Sequence, residues 1–140
     1  MQYKKTDNLL FIRFDPGEEI ITELKKVVSD LDIKSGSISA IGALNNVTIG
    51  FFDTSIKEYK SKVFESDYEI VSLIGSVSSM NEEPYLHLHI CIGDNQFNTY
   101  GGHFDRGIVS ATCEMIIVIS NDSITRCKGD KFGLNLLRLN

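Results

Sequence analysis

The spacing of apolar residues changes character twice along this chain. Leu9-Leu10-Phe11-Ile12-Arg13-Phe14 reads as a first strand. Ile20, Ile21, Leu24, Val27, Val28 and Leu31 then recur at helical spacing, with Glu19, Glu23, Lys25, Lys26 and Asp30 off that stripe. That pattern predicts one amphipathic helix covering a core. Asp15-Pro16-Gly17-Glu18 reads as its start, with Asp15 as N-cap, Pro16 at the first helical position and Glu18 placed as the acid of a capping box. From Ser35 onward, short segments broken by Gly, Asn and Asp take over. Residues 37–41, 46–53, 59–63, 69–77, 85–92, 96–104, 111–119 and 123–126 are predicted strands or strand pieces, so the body is mainly antiparallel β. Segment 133–137 is ambiguous, and no internal repeat is visible.

One of these strands carries most of the chemistry. The chain has three histidines, and they fall close together: His87 and His89 in Pro84-Tyr85-Leu86-His87-Leu88-His89-Ile90-Cys91-Ile92, then His103 in Tyr100-Gly101-Gly102-His103-Phe104. Alternation sends Leu86, Leu88, Ile90 and Ile92 to one face of a strand and both imidazoles to the other, roughly 6–7 Å apart along it. Gly93-Asp94-Asn95 is a hairpin signal that pairs this strand with the one leading to His103. A two-residue loop, Asp94-Asn95, sets His89 opposite Tyr100 and puts His103 on the wrong face. A three-residue loop, Gly93-Asp94-Asn95, brings all three imidazoles to one face, and a bulge at Gly101-Gly102 has the same effect. Sequence does not choose among these.

Composition narrows the classes that remain. A chain of 140 residues with 42% apolar and 24% charged residues is expected to form one compact soluble domain over 1–140. Fourteen basic against nineteen acidic residues leave a net charge of −5, and the densest basic stretches, Lys4-Lys5, Lys25-Lys26 and Arg126-Cys127-Lys128, read as solvated surface. That balance disfavours duplex DNA as a partner of the bare domain. Cys91, Cys113 and Cys127 are odd in number and widely spaced, which argues against a disulfide framework or a thiolate zinc site. The first residues form neither a signal peptide nor a membrane span, so a cytoplasmic location with no membrane partner is expected.

Three segments in order resemble the PPC ("plants and prokaryotes conserved") domain. They are Ser37 to Asp53 with its glycines, Asp67 to Ser76 with its tyrosine, glutamate and aliphatic strand, and the H-x-H of Tyr85–Ile92 with Gly101-Gly102-His103. The resemblance runs from about Leu9 to Leu137. It implies an α+β fold, a strongly bent antiparallel sheet packed with one clear amphipathic helix, assembled as a homotrimer. Plant members carry the domain behind AT-hooks in nuclear proteins and generally lack the histidines, whereas stand-alone prokaryotic members resemble this chain in having them. DNA therefore enters as a partner by family analogy, and no Arg-Gly-Arg-Pro hook is present here.

Three neutral imidazoles suit Zn²⁺ or another divalent transition metal and leave a position open, so His87, His89 and His103 are the expected ligands. Glu114 is a candidate acid/base or supporting group, and Asp105 and Arg106, which follow His103, are candidates to orient it. Cys91 shares the histidine face, with small buried packing its commoner role. The G-x-S-x-G, G-x-x-x-x-G-K and H-E-x-x-H motifs are absent. Two classes of function follow: a trimeric binding or regulatory module with a metal site, open to a small-molecule ligand, or a zinc-dependent enzyme acting on a small molecule.

Overall fold

The computed structural model describes residues 1–139. Its elements in chain order are β1 (Gln2–Lys5), β2 (Leu9–Phe14), α1 (Ile20–Asp30), β3 (Gly36–Asp53), β4 (Glu58–Phe64), β5 (Tyr68–Met80), β6 (Glu83–Gly93), β7 (Thr99–Ile119), β8 (Thr125–Lys128) and β9 (Asn135–Arg138). The expected α+β architecture is present: one helix against a bent sheet whose pairings are antiparallel except for a single parallel contact, Ser79 of β5 with Thr125 of β8.

The bend comes from strands longer than the sequence pattern suggests. Segments 37–41 and 46–53 are one strand, β3; segment 111–119 and the 99–104 part of segment 96–104 are one strand, β7, with residues 96–98 in the loop before it. Register shifts interrupt the β3–β7 ladder between Gly42 and Leu44, between Leu44 and Asn46, and between Thr48 and Ile49. Such irregularities turn a strand without ending it. The curvature lets β7 pair with β3 along most of its length, with β2 at its C-terminal end and with β6 at its N-terminal end, while β6 also pairs with β5. The sheet thus closes on itself through β3, β5, β6 and β7.

The concave side holds the core. Leu10, Phe14, Leu44, Leu73, Leu88, Ile92, Met115 and Ile117 are fully buried there, with Ile20, Leu24, Val27 and Val28 of α1 packed among them. The helix stripe is as the spacing predicts; its start is not. Glu19 is the N-cap, accepting from the backbone N–H of Ile21 and Thr22, and Asp15 takes no capping role. Gly17 has φ +87, a conformation no helical turn admits, and its N–H donates to the Val109 carbonyl of β7. The Asp15–Glu18 segment is therefore a turn tied to the sheet, and the helix begins after it. β1, exposed along its whole length, has no apolar alternation to announce it.

The convex side presents a different surface. Residues directly opposite in a ladder share a face, which places Ile74 beside His89, and Ser39, Ile116 and Phe11 in line with Ile74. Ile41 and Ile74 are 61% and 58% exposed, and Phe11, Val71 and Ile116 are also open. An apolar patch and the imidazoles thus occupy the same face. Among the described residues no helix is long and apolar enough to cross a membrane.

Candidate metal centre

Alternation along β6 directs Leu88, Ile90 and Ile92 into the core and His87, His89 and Cys91 to the convex face. The loop to β7 runs over residues 94–98, with Gly93 opposite Thr99 and His89 opposite His103. This loop is longer than either length read from the sequence. It has the parity that brings His103 to the side of the other two. Asp94 organises it: Oδ1 accepts from the backbone N–H of Gln96 and Asn98, each at 2.9 Å, and Oδ2 from the Tyr100 hydroxyl at 3.3 Å. The Gly101-Gly102 pair forms no bulge against β6. Gly102 instead permits close approach, since a Cβ there would stand 2.5 Å from the Gly50 carbonyl oxygen of β3.

The three rings converge. Their centroids are 5.3 Å apart for His87 and His89, 5.3 Å for His87 and His103, and 5.5 Å for His89 and His103. One ligand nitrogen from each lies within 4.8 Å of the others. Zinc bonded at 2.0–2.1 Å holds tetrahedral nitrogens about 3.3 Å apart, so small side-chain rotations close the set. The donors fit a divalent transition metal in number, kind and spacing. His87 and His103 are half-buried and His89 is exposed, which leaves the cluster open on one side. Cys91, opposite Gly101, is outside the converging group.

Of the three supporting candidates, the structure brings one to the histidines. Ile49 pairs with Phe104 and Thr48 with Arg106, so Asp105 is the extra residue of a bulge and turns back toward His103. Its Oδ1 lies 3.8 Å from His103 Nε2, beyond hydrogen-bond reach, and the carboxylate is steadied by the Tyr59 hydroxyl at 3.3 Å and the Ser61 hydroxyl at 3.2 Å. The Tyr59 ring meets His103 edge-on at 5.8 Å. It crosses Gly50 to do so, where any Cβ would strike the ring. Arg106 is exposed, and its side chain makes no hydrogen bond or ion pair among the described residues. Glu114 pairs with Arg13 and Ile41, and lies roughly 35 Å from His103 along the path of β7, so within one chain it does not join the imidazoles.

Sequence reasoning missed Tyr59, Ser61 and, above all, Arg126. The last reads as solvated surface, yet it is only 9% exposed and its Nη2 stands 3.4 Å from His87 Nδ1. Its acceptors come from residues between 9 and 50 positions away, so no local pattern marks it. Burial, then the Arg126 charge, then the neighbouring imidazoles pull His87 down to about 4. Burial also lowers His103, against the opposing pull of Asp105. Partial burial and the Asp105 charge push the Tyr59 phenol well above its ordinary range. His87 and His103 are thereby favoured in the neutral form that metal binding needs.

Comparison with known proteins accords with this geometry. The structure of a candidate DNA-binding protein from Bacteroides thetaiotaomicron is 34% identical, covers 98% of this chain and 96% of its own, and superposes with a TM-score of 0.95. A metal-containing protein from Archaeoglobus fulgidus is 28% identical, with 97% of each chain covered and a TM-score of 0.85. Bifunctional protein GlmU of a Synechococcus strain is 28% identical over 111 residues, 78% of this chain. The chain spans only 17% of that protein's length, and 16% in a second strain's GlmU. The Plants and Prokaryotes Conserved (PCC) domain model matches residues 1–121. With its bent sheet, single helix and near-complete coverage by that model, the chain belongs to the PCC, or PPC, domain family.

Proposed function

We propose that this chain, a single domain over residues 1–140, is a trimeric binding module of the cytoplasm that holds one divalent transition metal, zinc first among them, on His87, His89 and His103. The observation that carries the proposal is the convergence of three imidazole nitrogens within 4.8 Å on one sheet face. The likeness to the metal-containing protein of Archaeoglobus fulgidus supports it. Three unpaired cysteines suit a reducing compartment. A bound ion would supply Lewis acidity at a position open to solvent. His89 keeps that side accessible, while Asp105 steadies His103 from behind.

Trimer formation is supported by the exposed Ile41, Val71, Ile74 and Ile116 on the same face, which a second copy would cover. Duplex DNA finds less support. The relative named as a candidate DNA-binding protein does not transfer that property to a chain of net charge −5, a balance that works against the counterion release that drives duplex binding. A zinc-dependent enzyme acting on a small molecule is the second reading. Asp105 and Tyr59 favour it, because a carboxylate and a phenol close to His103 are groups that acid–base chemistry uses.

The test is metal analysis of untagged protein loaded with excess Zn²⁺ and desalted. About one Zn²⁺ per chain is expected, and none in His89→Ala, which should still fold because its strand's core face is carried by Leu88, Ile90 and Ile92. Desalted unmutated protein free of zinc would end the proposal.

A further inference from the structure

The Arg126 guanidinium is buried against the His87 imidazole, with no counter-charge among the described residues. Arg126 of β8 reaches over β5 to β6: Nε donates to Ser78 Oγ at 2.8 Å, Nη1 to the Asn135 carbonyl at 2.8 Å and Nη2 to Ser76 Oγ at 3.5 Å. Nη2 also approaches His87 Nδ1 at 3.4 Å, and the group lies 4.8 Å from the centroid of the Tyr85 ring. All of these partners are neutral, and no carboxylate among the described residues forms an ion pair with Arg126. A cation buried without an opposite charge is costly to keep. Arg126 also lies beyond residues 1–121, the part matched by the family model.

Electron counting at His87 gives this arrangement a consequence. A guanidinium only donates, and a neutral imidazole has one lone pair. The contact to Nδ1 is a hydrogen bond only when that lone pair is on Nδ1, which leaves the proton on Nε2. A metal needs the same lone pair. Bound through Nε2, His87 must turn an N–H toward Arg126; bound through Nδ1, it has nothing left to offer. Either way, metal occupancy strips Arg126 Nη2 of one acceptor and places a second positive charge nearby.

We propose that Arg126 and the metal centre together form a site for a small carboxylate, which replaces His87 as acceptor for Nη2 and offsets both charges. The inference rests on the triad holding a divalent ion. Carboxylate and metal then bind cooperatively, each raising the affinity of the other by the same factor. Without the carboxylate, Arg126 opposes the metal.

Co²⁺-loaded protein tests this, because the visible bands of the ion report its surroundings. Titration with acetate should give a saturable spectral change that uncharged acetamide does not, and acetate should tighten Co²⁺ binding at least ten-fold. Arg126→Gln should weaken acetate at least ten-fold while tightening Co²⁺ in acetate-free buffer, a gain that a purely structural role would not produce. Should that variant fail to fold, the unmutated protein decides: Co²⁺ affinity indifferent to acetate overturns the inference. Co²⁺ held by the histidines with acetate silent, or with acetate equally effective in Arg126→Gln, overturns this inference and leaves the metal site standing. Failure to bind Co²⁺ at all removes both.

Discussion

His87 and His89 show how far single residues can be read. Alternation with Leu86, Leu88, Ile90 and Ile92 places them on one face without any structure. His103 could not be assigned to that face, because its side depends on the parity of a loop whose length Asp94 decides through bonds to Gln96 and Asn98. Asp105 was legible as a neighbour of His103, but the bulge that aims it was not. The lowered His87 and His103 lead to a pH prediction. Unfolded histidine takes up a proton near 6.5, whereas folded His87 resists until about 4. Between those values the unfolded chain binds more protons, so the stabilising contribution of a neutral His87 is complete above about 6.5 and is lost as pH falls toward 4. Thermal unfolding of metal-free protein should show the midpoint dropping from pH 7 to pH 5 by more than in His87→Gln; equal slopes would refute the assignment.

At the scale of elements, the helix and most strands follow directly from period. What period could not show was continuity: β3 and β7 each look like two strands, because bulges near Gly42, Asn46 and Thr48 reset the alternation while the ladder continues. The helix start was misread for a related reason, since Asp15-Pro16 is good capping chemistry in isolation and Gly17 overrides it. The approach of β3 to β7 at the site leaves no room for a side chain at Gly102. Gly102→Val would drive a side chain against the Gly50 carbonyl. Overpacking of this kind costs about 1–3 kcal/mol. Urea unfolding should therefore give a lower midpoint for Gly102→Val, with zinc binding weakened because His103 sits one residue further along β7. An unchanged midpoint would show that the two strands can part without penalty.

For the whole molecule, composition correctly led to a folded unit with a substantial core, and a bent sheet was implied by the family resemblance. The proposed assembly would use a face that strand patterns describe poorly, because Ile41, Ile74 and Ile116 are apolar residues on the side opposite the core. Light scattering at micromolar concentration should give three times the 15.7 kDa chain mass, and Ile74→Glu should shift the population toward monomer. A monomeric unmutated protein would rule out the assembly. Gel shifts with duplex DNA should vanish between 50 and 200 mM salt, as expected for weak contacts from an acidic chain. A salt-resistant, sequence-dependent shift would restore the regulator reading.

The division of the sheet into a concave apolar side and a convex imidazole side also bears on inheritance. None of the buried hydrophobic residues that form the core is a histidine. Shape and site chemistry therefore rest on separate sets of positions. Drift at positions 87, 89 and 103 can erase the second while descendants retain the first, so ancestry read from the fold is a poor guide to which members keep the three imidazoles.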